Sequence, residues 1–265
     1  ASNAALVEKE GFGFDNFRIF NRDRLSVIET FSTVLSDLSL RANDTTFSVL
    51  NNPELLLSDV VWLNYFNDFE NNQTNGRVDP LNDRNQIVPG TISTLYGVSR
   101  APRAVINGMV QQEIQDEAVD GFDLLGWSEN DLSISSLSEP LVEIELSEVI
   151  TEQDKVNLNV RVVSNINFPM DTVLTTRIFI VESQIDPEDI NPDLETPITN
   201  PVYNVVREML PDPDGFTFDG RPNTDDVIGD YSVSWNVSNT YHPNRLKAIV
   251  YVQSEGAISS NANGS

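Results

Sequence analysis

At 265 residues the chain is longer than one small core needs, so two domains of ordinary size are expected. Its 41 acidic and 16 basic side chains give a formal net charge of −25, which argues against nucleic acid and anionic lipid surfaces as partners. There is no cysteine, which removes disulfides, thiolate zinc sites and iron–sulfur clusters, and no apolar run approaches the roughly 20 residues of a membrane-spanning helix. Only Lys9, Lys155 and Lys247 are lysines, and so acidic a surface keeps a protein dispersed where salt screens charge, as in a saline habitat. The opening ASNAALVEKEGFGF has neither an initiator Met nor a hydrophobic signal core and reads as a processed or trimmed start, with Ser2-Asn3-Ala4 equally readable as a cloning remnant. Residues 1–23 are taken as an N-terminal extension.

From residue 24 the pattern mixes strand and helix grammar. RLSVIETF reads as a buried strand and runs into the small polar loop of ETFSTVLSDLSL. RANDTTFSVLNNPELL predicts a helix with Asn43 or Asp44 as its cap and Phe47, Leu50 and Leu55 as its apolar face, interrupted by Pro53. Val60 to Phe66 is the next strand. After the loop FENNQTNGRVDPLNDRN, the segment IVPGTISTLYG predicts a short helix from Pro89 to Gly97. APRAVINGMVQQEIQ predicts two antiparallel strands hinged on Asn107-Gly108. WSENDLSISSLSEPL, with Ser128-x-x-Asp131 at its start and Pro140 after its end, predicts a helix over the sheet and closes the domain at residue 138.

Beyond Pro140 the apolar residues recur with period two. Val142, Ile144 and Leu146 alternate with Glu143 and Glu145, and Val156, Leu158, Val160 and Val162 alternate with polar residues. TVLTTRIFIV follows, then Tyr231, Val233, Trp235 and Val237, then Leu246, Ala248, Val250 and Val252. Such a series predicts a β-sandwich over residues 139–254, followed by a small, polar, loosely held tail at 255–265. The proline-rich, acidic stretch from Asp186 to Pro201 predicts a surface loop.

VIETF, WLNYFNDF with the later DPLN, YGVSRAPRAVING, YNVVREMLPDPDG and NTYHPNRLKAIVYVQ, in that order and spacing, resemble the twenty-eight-kilodalton outer-membrane-protein family of Bacteroidetes lipoproteins. The resemblance spans residues 24 to 253. It implies an α/β thioredoxin-like domain followed by an all-β immunoglobulin-like sandwich. It also implies a protein exported to the cell envelope, periplasmic or outer-membrane-associated, with any lipid anchor lost or outside this chain. Members of the family mostly lack an assigned activity. Laid against the family pattern, Ser36 and Ser39 stand where it carries its two redox cysteines, and Arg100, Ala101, Pro102 and Arg103 match its cis-proline loop. A cis Ala101–Pro102 bond, with Ser36, Ser39, Ala101 and Pro102 lining a shallow groove for an extended peptide, is the corresponding expectation. Asp44-Thr45-Thr46 and Asp171-Thr172-Val173 resemble the O-glycosylation acceptor string of that bacterial group, which makes Thr45 and Thr172 candidates.

Other candidates are weighed on their chemistry. Disulfide exchange needs a thiolate, and neither serine can supply one. A catalytic serine needs a base, and the sole histidine, His242, sits beside Pro243 in a turn of the other half and reads as a surface residue. The acidic run from Asp212 to Asp226 offers oxygen ligands suited to calcium, with Asp212, Asp214 and Asp219 as candidates, although it lacks the helix–loop–helix calcium spacing. Trp62, Trp127 and Trp235 sit in apolar or strand contexts that suit packing. No Walker or dinucleotide glycine pattern occurs. The leading expectation is a non-enzymatic binding or assembly protein with a protein partner in the envelope and no cofactor, calcium aside. The alternatives are a calcium-dependent adhesion or carbohydrate-binding module, and a hydrolase using scattered carboxylates.

Overall fold

The structure, a computed structural model, describes residues 25–52, 60–69, 78–111, 140–152, 155–191, 194 and 197–254. Strand β1 (Ser26–Ser32) runs parallel to β2 (Val60–Phe66) and antiparallel to β3 (Arg103–Ile106). Parallel neighbours need a crossover, and helix α1 (Asp37–Leu50) lies on it. The helix starts well before the expected caps. Ser36 is extended (φ −126°, ψ 122°), its hydroxyl oxygen accepts from the Ser39 amide at 3.5 Å, and Asp37 occupies the positive first turn. Asn43 is instead buried inside α1. Its side-chain oxygen accepts from the Asn64 amide (3.3 Å) and the Tyr203 N–H (3.2 Å), and its amide donates to the Pro201 carbonyl (3.1 Å), so it ties α1 to two strands.

Two short helices follow, α2 (Pro80–Asp83) and α3 (Ile87–Tyr96). Helix α3 begins two residues ahead of Pro89, which the first turn tolerates because an N–H at that position would find no intrahelical acceptor. Gly97 at φ 67° ends it in the left-handed cap. Strand β4 (Met109–Val110) pairs with β3 through Asn107-Gly108, at φ 50° and 82°. Asn107 also extends the β1 ladder: its N–H donates to the Val27 carbonyl and its side-chain oxygen accepts from the Val27 N–H, both at 2.9 Å.

In the second half β5 (Val142–Glu152), β6 (Lys155–Ser164) and β10 (Val227–Asn236) form a three-stranded antiparallel sheet in the order β10-β6-β5. Strand β7 (Thr172–Ile185) pairs with β11 (Leu246–Ser254), β8 (Val202–Leu210) and β9 (Phe216–Gly220). Strand β8 then meets β2 in parallel at Asn64 and Val205. The result is one eight-stranded sheet, β11-β7-β8-β2-β1-β3-β4 with β9 beside β7, which joins strands from both sides of residue 138. The helix expected after Ser128, and Trp127, lie outside the described residues.

Two cores share β7. Ile178 and Ile180 face the sandwich core of Val156, Leu158, Val160, Val162 and Trp235. Phe179 and Val181 face the other way, onto Phe31, Tyr65, Val88 and Ile92. Period two explains the division, and burial on both faces explains why the IFIV of this strand is apolar without alternation.

Two segments depart from expectation. The acidic run from Asp212 to Asp226 contains β9, because Phe216 and Phe218 pack on the sandwich core. Gly215 at φ 72° turns the chain into it, and a Cβ there would lie 2.7 Å from the Thr176 carbonyl. The stretch from Asp186 to Pro201 is not merely a surface loop. It starts with the one-turn helix α4 (Pro187–Ile190), buries Ile190 and Ile198, and is stapled by Asn191, which donates to the Ile198 carbonyl (3.1 Å) and accepts from its N–H (2.8 Å).

Candidate functional site

The loop between β1 and α1 is tied from beneath by a carboxylate. Asp79 is fully buried and caps α2, its Oδ1 accepting from the N–H groups of Leu81 (2.8 Å) and Asn82 (3.4 Å) while its Oδ2 accepts from the Val34 N–H (2.7 Å). Burial pushes its pKa up to about 6, against the opposing pull of these donors. Within the loop the Leu35 N–H donates to the Thr33 hydroxyl at 3.2 Å. Ser36 spends its hydroxyl on the α1 cap, and the buried Ser39 hydroxyl has no hydrogen-bond partner among the described residues. Among the described residues, neither hydroxyl is hydrogen-bonded to a carboxylate or an imidazole.

Register places Arg103 opposite Phe31, so Pro102 continues the strand at the end of β1 from which this loop departs. The Ala101–Pro102 bond is cis, as is Leu210–Pro211. Partial burial and the neighbouring Arg100 charge lower the Arg103 pKa. Arg100, Ala101, Pro102 and Arg103 are all partly exposed.

Three further polar clusters lie along β1, β7 and the turn before Leu246. Glu29, in the middle of β1, is 1% exposed and accepts from three tyrosine hydroxyls: Tyr65 (2.8 Å), Tyr96 (2.7 Å) and Tyr251 (3.2 Å). Gln253 donates to the Tyr96 oxygen (3.3 Å), and Arg177 donates to the Gln253 side-chain oxygen (2.6 Å). Burial raises the Glu29 pKa, with the hydroxyls and Arg177 pulling the other way. In the second cluster, Glu182 and Arg207 form a fully buried ion pair at 2.8 Å, and Glu182 also accepts from the Tyr241 and His242 N–H groups. In the third, His242 Nε2 lies 2.8 Å from Asp189 and 3.6 Å from Asp186, and Arg245 donates to Asp186 at 2.7 Å.

Sequence reasoning passed over Glu29 and Asp79. Asp79-Pro80 did carry a signal, an aspartate cap followed by proline at the first helical position. The calcium candidates are not brought together: Asp212 and Asp214 share an exposed turn in which Asp212 accepts from the Asp214 N–H (3.0 Å), and Asp219 stands on β9 opposite Val173. Among the described residues, the carboxylate and imidazole atoms that do converge within 4.8 Å belong to Asp186, Asp189 and His242, where Gln184 (2.6 Å) and Arg245 already hold both oxygens of Asp186. Thr45 is half-buried within α1, and Thr172 opens β7 with its hydroxyl donating to the Pro169 carbonyl at 2.8 Å. Glu143 and Glu145 are exposed on β5, while Trp62 is buried and donates to Thr30 at 2.8 Å.

No family profile matches the chain, and no curated protein matches it in sequence. In fold it is similar to HBP35 of Porphyromonas gingivalis, with a TM-score of 0.58 at 10% identity over 88% of this chain and 70% of that one. The shared feature is a fold that couples an α/β layer to β-structure. Among the described residues, no helix is long and apolar enough to cross a membrane.

Proposed function

We propose that the protein is a non-enzymatic binding or assembly protein of the bacterial cell envelope, built on a thioredoxin-like layer without redox chemistry. The carrying observation is the loop after β1. Its Ser36 hydroxyl is consumed by a helix cap, its Ser39 hydroxyl is buried, and Asp79 anchors its backbone, so positions that the family resemblance assigns to cysteines serve the fold. The envelope assignment draws on that resemblance and on the fold likeness to a protein of Porphyromonas gingivalis, a member of the Bacteroidetes. The face offered to a partner is the cis-proline loop, where Arg100 and Arg103 carry positive charge on a strongly acidic chain and suit an extended acidic peptide. Thr45 and Thr172 are the proposed O-glycosylation acceptors.

The test is affinity capture from native membranes with wild type and an Arg100→Glu, Arg103→Glu variant, alongside insulin reduction. The wild type should retain a membrane protein that the variant loses, and neither should reduce insulin above a boiled control. Undiminished capture by the variant would overturn the proposed face, and reduction above the control would overturn the non-enzymatic reading.

A further inference from the structure

Strand β10 ends the three-stranded sheet, and among the described residues its ladder partner is β6 alone. After an irregularity between Val227 and Gly229, its register with β6 is regular from Asp230 to Asn236. Edge strands are usually blunted by proline, charged side chains or a bulge, and from Tyr231 to Asn236 there is none of them. Its outward residues Asp230, Ser232, Ser234 and Asn236 are exposed, while Tyr231 and Val233 on the inner face are only half-buried against the sandwich core. The Tyr231 ring stacks on Phe216 of β9 at 4.0 Å, which fixes the inner face of this edge.

The seven residues DYSVSWN read nearly the same in both directions about Val233. Antiparallel pairing of this strand with its own copy, across a two-fold axis at Val233, sets Asp230 opposite Asn236, Tyr231 opposite Trp235 and Ser232 opposite Ser234. Each pair is chemically matched: a carboxylate meets an amide of the same shape, an aromatic ring meets an aromatic ring, and a hydroxyl meets a hydroxyl. No like charges meet along the edge, although each chain carries −25. The opposite edge, β5, bears the exposed Glu143 and Glu145, which resist a second acidic copy.

We propose that the protein forms a two-fold dimer through β10–β10 pairing, which merges two three-stranded sheets into one of six strands. Main-chain hydrogen bonds supply the attraction, and the matched pairs set the register. The half-exposed Val233 of each copy is then covered by its equivalent. This inference rests on the strand itself and stands apart from the proposed envelope partner.

Sedimentation equilibrium on the full chain tests it. Wild type should approach twice the 29.5 kDa chain mass as concentration rises. Ser232→Lys with Ser234→Lys places lysine opposite lysine twice, and should give a monomer with an unchanged melting temperature even though it lowers the overall negative charge. Ser232→Lys with Ser234→Glu places lysine opposite glutamate twice, and should dimerise. A wild type that stays at chain mass into the millimolar range, or a dimer indifferent to the double lysine change, overturns the proposal. So does a monomer whose capture of a membrane protein is lost in the double lysine variant, since that gives the edge to another protein.

Discussion

Glu29 and Glu182 are both withdrawn from water, at 1% and 0% exposure, yet the two regions handle the acid differently. Around Glu29 the donors are neutral tyrosine hydroxyls, and burial outweighs them, so the carboxyl holds its proton to higher pH than usual. Around Glu182 a guanidinium lies at 2.8 Å and two backbone N–H groups complete the shell. Burial lowers the Arg207 pKa although Glu182 opposes it. Asp79 belongs with Glu29, since the groups that hydrogen-bond it are backbone N–H groups and a threonine hydroxyl. One region therefore tolerates a protonated acid, while the other depends on keeping two charges together.

The largest test of this contrast is Arg207→Ala, which strands a buried carboxylate and should cost about 3–5 kcal/mol in denaturant melts. Replacing both Glu182 and Arg207 with leucine should recover only part of that loss, because the Tyr241 and His242 N–H groups lose their acceptor, at about 1–3 kcal/mol for an unsatisfied group. Full recovery would mean that the backbone contacts of Glu182 carry no weight.

Next in size is a pH effect at Asp79. Its folded pKa of about 6 stands above the ordinary 3.8, so the folded chain binds a proton that the unfolded chain has released. The stability this brings is full below the unfolded value and is lost as pH rises through about 6, a change of about 3 kcal/mol. Surface carboxylates also titrate, so the measurement is the difference between wild type and Asp79→Asn. That difference should move in the variant's favour by about 2 kcal/mol from about pH 4, where the unfolded group is already more than half ionised, to about pH 7. Parallel curves would show that Asp79 titrates normally. Glu29→Gln should flatten the same profile in the same direction, because the Glu29 shift has the same sign. The smallest effect is expected at the exposed pair Arg161–Glu145, 3.3 Å apart with side chains 47% and 48% accessible, where Glu145→Ala should change stability by less than about 1 kcal/mol.

Period and turn chemistry made most strands legible. Val60 to Phe66, the Asn107-Gly108 hairpin and the alternating strands after Pro140 need only local pattern and two positive-φ positions. What escaped depends on distant partners. Asn43 looks like a cap until Pro201, Asn64 and Tyr203 are seen to claim its amide, and the cap falls to Ser36. Strand β9 hides in an acidic run because only Phe216 and Phe218 face the core. Glu29 reads as the polar member of an alternating strand, and its burial follows from Tyr96 and Tyr251, which lie 67 and 222 residues away. The Glu182 shell was equally invisible, since it joins β7, β8 and the turn before β11.

Because Phe179 and Ile180 are neighbours on one strand yet line different cores, the mechanical fate of the two cores is joined. Unfolding should be a single cooperative event with no half-melted state, in contrast to domains linked by a flexible hinge. Fluorescence of Trp62 and of Trp235, each isolated by replacing the other tryptophans with phenylalanine, should then be lost at one denaturant midpoint. A cavity made by Phe179→Ala should move the midpoint of both reporters, although Trp235 lies in the sandwich core and Trp62 in a further cluster with Ile28, Ala104 and Ile106, neither of which Phe179 lines. Damage on either side of the strand is felt on both, and neither half is expected to persist as a stable fragment.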